Sequence, residues 1–198
     1  MDASRQLEPV ILEGSRVRLE PLALEHVPQL AEVALDPALW QWTLARPTDE
    51  DSLRAWAETA IAGRETGTEY PFVTLDAGTG RPIGSSRYLN IVPEHRRLEI
   101  GWTWVAPAWQ RTGANREAKL LMLSHAFDAL GCRRVEFKTD SLNAPSRAAL
   151  LGIGAQFEGI FRNHMVMPGG RTRHSAWYSV TDEEWPAVRE GLELSLAR

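Results

Sequence analysis

The sequence contains very little cysteine, since Cys132 is the only one among its 198 residues. A single cysteine excludes an intrachain disulfide and excludes a metal site built from several cysteines. Cys132 lies between Gly131 and a predicted strand, and we interpret it as a small packed thiol rather than a nucleophile. The sequence therefore predicts neither a disulfide framework nor a metal centre.

Long apolar runs are also missing, and none approaches the roughly 20 residues that a membrane-spanning helix needs. The first six residues include an acid and lack an apolar stretch, which is not typical of a secretory signal. From these two absences we expect a cytoplasmic protein that does not associate with a membrane.

An excess of positive charge is missing as well. Lysine and arginine total 22 against 26 aspartate and glutamate, which gives a net charge of −4. This balance argues against a nucleic-acid-binding protein that relies on a general basic surface. The apolar content of 43% is that of an ordinary globular chain, and we find no linker or repeat. We therefore predict one domain over residues 1–198.

The hydrophobic pattern alternates between period two and helical spacing. It predicts helices over 24–35, 48–64 and 117–130, a short helix capped by Asn143, and a tail helix from Asp182. It predicts strands over 17–20, 69–75, 82–92, 98–105, 134–139, 156–167 and 173–181. In the fourth strand the pattern places Leu98, Ile100, Trp102 and Trp104 on one face. The order of elements indicates a mixed α/β fold with a mostly antiparallel sheet of six to seven strands.

A glycine-bearing loop, Gln110-Arg-Thr-Gly-Ala-Asn115, joins the fourth strand to the helix over 117–130. The first amides of a helix have no intrahelical partner and bind phosphate well. Gly113 permits a turn with positive φ, and Arg111 offers a charged contact. The segment lacks the Lys-Ser/Thr pair of a P-loop and the dinucleotide-binding glycine pattern. The loop alone is equally compatible with an ordinary strand-to-helix turn.

In combination, several motifs resemble the GNAT superfamily of acetyl-CoA-dependent acyltransferases. The matching segments are Glu99-Ile-Gly-Trp102, Gln110-x-x-Gly113-x-Asn115, the long helix, the strand over 134–139, Asn143-x-x-Ser146 and Gly154-Ala155. The sequence looks most similar to the branch of ribosomal-protein serine and alanine N-terminal acetyltransferases, over roughly residues 14 to 182.

The resemblance implies that the sheet is splayed and that the cosubstrate is acetyl-CoA, with no metal. The pantetheine arm would lie between the strands over 98–105 and 134–139, and the pyrophosphate would rest on the loop amides. The cofactor-binding residues that the resemblance implies are Trp104, Val105, Gln110, Arg111, Thr112, Gly113, Ala114, Asn115 and Asn143.

The sequence departs from the family pattern at two positions of the site. Asn115 stands where the family usually has glycine or alanine. Leu150 stands where many members have a tyrosine that donates a proton to the leaving thiolate. Ser146 is the remaining hydroxyl that could protonate the leaving thiolate, although it could equally be a polar residue of its helix.

Transfer of an acetyl group to an amine requires a base that removes a proton from the amine. Glu99 is our first candidate, and a salt bridge from Glu99 to Arg87 or Arg97 is the structural alternative. His95 and His164 are reserve candidates because histidine titrates near neutral pH, and Glu94 is a weaker one.

Aromatic and polar residues of the first two helices and the last hairpin predict a substrate cleft. The candidate substrate-binding residues are Trp40, Trp42, Tyr70, Arg87, Tyr88, Asn163 and His164, with core packing as the alternative for the two tryptophans.

The preferred function is acetyl transfer to a primary amine, most readily a protein or peptide N-terminus. A small-molecule amine such as an amino acid, a polyamine or an antibiotic remains open. An acyl-CoA-binding regulatory module without chemistry is a second hypothesis, and a partner-binding domain without a cofactor is a third. A homodimer is compatible with the apolar residues of the tail strands.

Overall fold

Period-two stretches of the sequence form one eight-stranded sheet within residues 8–197, the part of the chain that the computed structural model describes. The strands are β1 (Leu12–Glu13), β2 (Val17–Pro21), β3 (Glu69–Asp76), β4 (Pro82–Val92), β5 (Arg97–Val105), β6 (Arg134–Asp140), β7 (Gln156–Val166) and β8 (Thr172–Thr181). Their spatial order is β1-β2-β3-β4-β5-β6-β8-β7. The two-residue strand β1 explains why the sheet has one strand more than the sequence predicted.

Helices connect and cover the strands. They are α1 (Val27–Ala34), α2 (Pro37–Trp40), α3 (Glu50–Glu65), α4 (Ala114–Ser124), α5 (Ala144–Gly152) and α6 (Trp185–Leu196). A π-helical turn, His125–Ala129, extends α4, and Gly131 follows it with a φ of 66°. The N-cap of α3 is Asp49, which accepts a hydrogen bond from the Ser52 amide, so the helix begins at Glu50 rather than at the predicted position 48.

Two apolar cores lie on opposite faces of the sheet. Neighbouring residues of β3 show this, because Phe72 packs in one core and Val73 in the other. The first core contains residues of α4 and α6, and the second contains residues of α1, α2 and α3. Accordingly, the sheet separates an α4 face from an α2 face.

Strand β5 changes face at Trp102, whose φ of 51° is left-handed. The register with β4 shifts at the same place, between Ser85 and Arg87. As a result, Ile100 packs in the α4-side core, whereas Trp104 packs in the α2-side core with Trp102 against it. The prediction of one shared face for these side chains is therefore wrong, because a β-bulge breaks the period-two alternation.

The crossover through α4 makes β5 and β6 parallel, while every other pairing in the described sheet is antiparallel. The parallel register ends early, since its last pair is Glu99 with Glu136. Beyond that pair, β5 remains bonded to β4 as far as Val105, and β6 remains bonded to β8 as far as Asp140. The strands therefore separate and leave a V-shaped gap between them.

Candidate active site

The gap between β5 and β6 opens into a cavity of about 840 Å³. That volume suits a ligand of the size of a cofactor arm plus a small acceptor. The facing backbone edges of both strands are free of strand partners beyond Glu99 and Glu136 in the described sheet. Such edges can bind an extended chain of amides as an added strand does.

Six of the nine predicted cofactor-binding residues line the cavity, and one of the six also caps helix α5. The lining residues are Trp104, Val105, Gln110, Arg111, Asn115 and Asn143. The Asn143 carboxamide oxygen accepts from the Ser146 amide at 3.2 Å, which makes Asn143 the N-cap of α5 as the sequence predicted. The Gln110 side chain donates to the Val105 carbonyl oxygen at 3.1 Å and so links the loop to the end of β5.

The remaining loop residues, Thr112, Gly113 and Ala114, are not part of the cavity wall. Gly113 is the N-cap of α4 with a φ of 94°, and it provides no side-chain cap for the helix. Arg111 also has a left-handed φ, of 62°. The loop thus turns sharply, and the N-cap residue provides no side chain that could bond to the first amides of α4. Amides at a helix N-terminus that are free in this way can bind a phosphate.

Glu99 lies at the base of the V, and its residue is 1% exposed. One carboxylate oxygen, Oε2, accepts from Asn90 Nδ2 at 2.7 Å and from Lys138 Nζ at 2.8 Å. The other oxygen, Oε1, has no hydrogen-bond donor among the described residues and belongs to a side chain of the cavity wall. Glu99 is therefore held in one orientation with an oxygen left for a ligand.

The predicted ion-pair partners of Glu99 are occupied elsewhere. Arg87 pairs with Glu69 at 2.7 Å, and Arg97 pairs with Glu136 at 3.2 Å. Lys138 of β6 provides the ion pair instead. The alternative prediction, that Glu99 forms a salt bridge, is therefore correct, but the partner is Lys138 of β6 rather than Arg87 of β4 or Arg97 of β5.

Three other predicted acid–base groups differ in position. Ser146 lines the cavity, and its hydroxyl has no hydrogen-bond partner among the described residues. By contrast, Glu94 and His95 are exposed in the turn before β5 and lie outside the cavity wall. Ser146 can therefore reach a ligand in the V, whereas neither Glu94 nor His95 contributes to the cavity.

Three aromatic residues that were predicted to bind substrate are core residues instead. Trp40 is 1% exposed and donates its indole N–H to the Ala34 carbonyl at 2.6 Å. The Tyr70 hydroxyl accepts from the Val10 amide at 2.9 Å, and the Tyr88 hydroxyl donates to the Met122 carbonyl at 2.7 Å. Each is buried with its polar atom satisfied, so the prediction of a cleft wall is corrected for all three.

Arg87 and His164 are also absent from the cavity wall. The Arg87 guanidinium lies between the Trp56 and Trp102 rings, at 4.8 and 4.9 Å from their centroids. His164 accepts or donates a hydrogen bond with Ser175 Oγ at 2.9 Å, and it lines a separate depression on the β7–β8 hairpin together with Asn163. Of the predicted substrate residues, only Trp42 lines the cavity.

The cavity contains cations that the sequence analysis missed. Lys119 follows Asn115 by one helical turn of α4, is 4% exposed, and donates to Thr103 Oγ1 at 2.6 Å and Ser86 Oγ at 3.2 Å. Burial lowers the pKa of Lys119 to about 7. Arg173 of β8 lines the same cavity and is 7% exposed. The spacing of Asn115 and Lys119 on one helix face was the available signal for the lysine.

Cys132 is buried, and burial raises the pKa of its thiol to about 11. A thiol with that pKa is protonated at neutral pH and is a poor nucleophile. Within residues 8–197 no group of three or more histidine, cysteine, aspartate or glutamate residues could hold a metal ion. No helix in the same range is long and apolar enough to cross a membrane.

Comparison with known proteins gives a consistent result. A family model described as an acetyltransferase (GNAT) domain matches residues 16–156. The uncharacterized N-acetyltransferase YoaA of Bacillus subtilis is 33% identical over 87 residues, 44% of this chain, and the match spans only about half, 49%, of YoaA. The FsC-acetyl coenzyme A-N(2)-transacetylase of Aspergillus fumigatus is 27% identical over 189 residues, 88% of this chain and 77% of that protein.

Solved structures match over nearly the whole chain. A GCN5-related N-acetyltransferase from Brucella melitensis is 34% identical with a TM-score of 0.89, covering 97% of this chain and 87% of that one. Mycobacterium smegmatis RimJ in complex with CoA-disulfide has a TM-score of 0.81 at 23% identity, covering 94% and 95%. At this lower identity the likeness to RimJ shows the fold alone.

Proposed function

The chain belongs to the GNAT family of acetyltransferases, and we propose that it transfers the acetyl group of acetyl-CoA to the primary amine of a protein or peptide N-terminus. The observation that carries this proposal is the position of Glu99. Its carboxylate lies where β5 and β6 separate, in the cavity that the loop over 110–115 also lines. One of its oxygens has no hydrogen-bond donor among the described residues.

The residues of the V fit acetyl-CoA. The free edges of β5 and β6 would pair with the amides of the pantetheine arm, and Trp104 and Val105 lie on that edge. Arg111 and the first amides of α4 would hold the pyrophosphate, since both offer donors to an anion. Acetyl-CoA supplies an acetyl thioester, whose carbonyl carbon an amine can attack.

Glu99 and Ser146 have complementary roles in this proposal. Glu99 accepts the proton that the acceptor nitrogen loses, either directly or through a water molecule. Lys138 and Asn90 hold the carboxylate and keep Oε2 engaged, so that Oε1 is the oxygen that accepts the proton. Ser146 donates a proton to the thiolate that leaves, because Leu150 occupies the cavity position where many family members have a tyrosine.

Two kinds of acceptor remain compatible with the family, a peptide N-terminus and a small amine. The resemblance to the ribosomal-protein branch favours the peptide, and a relative named as an N(2)-transacetylase is in line with nitrogen as the acceptor atom. The cavity disfavours a polyamine, since its wall includes the cations Arg111, Lys138 and Arg173 but only two carboxylates, Asp36 and Glu99. A polycation would meet repulsion in such a wall.

The presence of Leu150 in the cavity favours one alternative, an acyl-CoA-binding module without chemistry. One experiment distinguishes the acetyltransferase from the binding module. The protein is incubated with acetyl-CoA and a panel of peptides and small amines, the release of free thiol is measured, and the products are identified by mass spectrometry. We expect thiol release with peptides that have a free N-terminus and none with N-terminally blocked copies. Binding of acetyl-CoA without turnover on any amine, unchanged in Glu99→Gln, would establish the module instead.

Three further predictions belong to this proposal. One domain would extend over residues 1–198, the location would be cytoplasmic, and the chain would pair with a second copy. For the pairing, the exposed apolar side chains of β7 and its hairpin offer a surface, namely Phe157, Ile160, Phe161 and Val166.

A further inference from the structure

Arg173 is a buried cation at one side of the cavity. It lies near the start of β8, is 7% exposed, and contributes to the same wall as Glu99 and Lys138. Its position in the fold differs from that of Arg111 and Lys119, the basic residues at the α4 side of the cavity. Arg111 and Lys119 flank or belong to α4, whereas Arg173 bonds to Trp42, which follows α2 on the opposite face of the sheet. Arg173 therefore lies on the side of the cavity away from the phosphate loop.

The hydrogen bonds of Arg173 leave most of its donors unused. Nε donates to Ser175 Oγ at 3.0 Å, and Nη1 donates to the Trp42 carbonyl at 3.3 Å. Both acceptors are neutral, and a guanidinium has five N–H groups in a planar fork. Three of these groups are without an acceptor among residues 8–197, and they belong to a side chain that lines the cavity.

Nearby carboxylates do not neutralise this guanidinium. Asp140 is bound by Arg171 at 2.5 Å, and Glu99 is bound by Lys138 at 2.8 Å. No carboxylate lies within 4.0 Å of an Arg173 nitrogen in the described part of the chain, so Arg173 forms no ion pair there. Burial lowers the pKa of Arg173, and the attraction of Asp140 and Glu99 opposes that change from a longer distance.

A buried charge without a counter-ion is unfavourable in a folded protein. The arrangement becomes favourable when a ligand brings the missing negative charge, and a planar fork with free N–H groups suits a carboxylate in particular. The protein has a net charge of −4, so general attraction to anions does not explain the group. An anionic ligand beside Arg173, in the part of the cavity away from the phosphate-binding loop, would supply the missing charge.

We propose that Arg173 binds a carboxylate of the acceptor, so that the acceptor is a primary amine with a carboxylate close to it. This inference rests on the proposed acetyl transfer and narrows its substrate class. The carboxylate could be the α-carboxylate of a free amino acid or an acidic side chain near the start of a peptide. Both sources present the same chemistry to Arg173, and the acceptors chosen below separate them.

The test uses acceptors in matched pairs that differ by one negative charge. One pair is an amino acid and its carboxamide, and the other is a peptide with glutamate or glutamine at its second position. For the wild type we expect kcat/KM to be on the order of 10- to 100-fold higher for the acidic member of at least one pair. The pair that shows the preference identifies the source of the carboxylate.

Variants then assign the preference to Arg173. We expect Arg173→Gln to lower the ratio of acidic to neutral kcat/KM by about 10- to 100-fold, and Arg173→Lys to retain part of it. Arg162→Gln is the matched control, because Arg162 is on β7 and outside the cavity wall. Titration calorimetry with acetyl-CoA shows whether each variant has folded.

The outcomes separate this inference from the proposed function. Acetyl transfer at equal rates to both members of each pair by the wild type overturns the role of Arg173 and leaves acetyl transfer intact. An acidic preference that persists in Arg173→Gln also overturns it. No transfer to any amine contradicts the proposed function, and the inference fails with it.

Discussion

Lys138 Nζ lies 2.8 Å from Glu99 Oε2, and this ion pair joins the two parallel strands just where they separate. The two residues come from β5 and β6, 39 positions apart in the sequence. Their side chains are largely buried, with exposures of 18% for Lys138 and 2% for Glu99. The pair therefore fixes both the base of the V and the orientation of the carboxylate that the proposed chemistry needs.

Replacing Glu99 by glutamine should remove the proton acceptor while keeping the hydrogen bond from Lys138. We expect kcat to fall about 10²- to 10³-fold, because general base catalysis contributes on that order. Affinity for acetyl-CoA, measured by calorimetry, should stay within about threefold of the wild type, an energy of less than about 0.7 kcal/mol. Glu136→Gln is the control, since Glu136 pairs in register with Glu99 but lies outside the cavity wall. Equal activity of Glu99→Gln and the control would contradict the role of Glu99.

Removing the Arg111 guanidinium should weaken binding of acetyl-CoA. We expect Arg111→Ala to raise the dissociation constant about tenfold at low salt, since one charge-assisted hydrogen bond is worth about that much. The effect should shrink as ionic strength rises, because salt screens an exposed charge. Arg116→Ala makes the same charge change on α4 outside the cavity wall and should bind normally. Equal dissociation constants for the two variants at low salt would exclude Arg111 from the phosphate site.

Substitutions of Asn143 and Ser146 should affect different properties, the first the stability of the fold and the second the rate of acetyl transfer. The Asn143 side chain accepts from the Ser146 amide, so Asn143→Ala removes the cap of α5 and should lower the free energy of unfolding by about 1 kcal/mol. Ser146→Ala keeps that amide and should leave the free energy of unfolding nearly unchanged, while kcat falls about tenfold or more. Urea denaturation and steady-state kinetics check the two effects. A Ser146→Ala enzyme with the kcat of the wild type would leave Ser146 with a structural role only.

The buried Lys119 should give stability a distinctive pH dependence. Its pKa is lowered by burial from 10.5 to about 7 in the folded protein, whereas the unfolded chain keeps the ordinary value. Between these values the unfolded state binds more protons, so this group makes the free energy of unfolding rise with pH, by at most about 1.4 kcal/mol per pH unit. Below about pH 7 both states are protonated, and the cost of burying the charge is fully present.

Lys119→Met removes this contribution while filling a similar volume. The stability of the variant relative to the wild type should therefore be greatest at pH 6 and should decrease steadily between pH 7 and pH 10. Urea denaturation at several pH values measures the difference. Parallel curves for the two proteins across that range would show that Lys119 keeps its ordinary pKa in the folded state.

The sequence predicted the features of the site that depend on local chemistry. The loop around Gly113 and the capping role of Asn143 follow from residues that are close together in the chain, whereas the placement of Glu99 beside the cleft follows from the resemblance to the GNAT superfamily. The mixed sheet and membership of the GNAT family are confirmed. The ribosomal-protein branch is not established, because RimJ and a Vibrio cholerae protein provisionally assigned as a ribosomal-protein-serine acetyltransferase are only 23% and 19% identical.

Features that depend on long-range contacts were not predictable in this way. The bulge at Trp102 needs one residue in a left-handed conformation, which a period-two pattern does not reveal. Arg173 reaches the Trp42 carbonyl across 131 positions of sequence. Lys119 and Lys138 were missed because a charged residue is usually exposed, and only the assembled cavity gives these two a reason to be buried.

The position of the acetyl-CoA site is tested most directly by hydrogen–deuterium exchange with and without acetyl-CoA. We predict slower exchange in the amides of 101–105 and 111–116, because the free edge of β5 and the start of α4 would become bonded to the cofactor. Exchange in β2 and β3, which lie toward the β1 edge of the sheet and away from the gap, should change little. Protection confined to other segments, or no protection at saturating acetyl-CoA, would contradict the assignment of the V between β5 and β6 as the acetyl-CoA site.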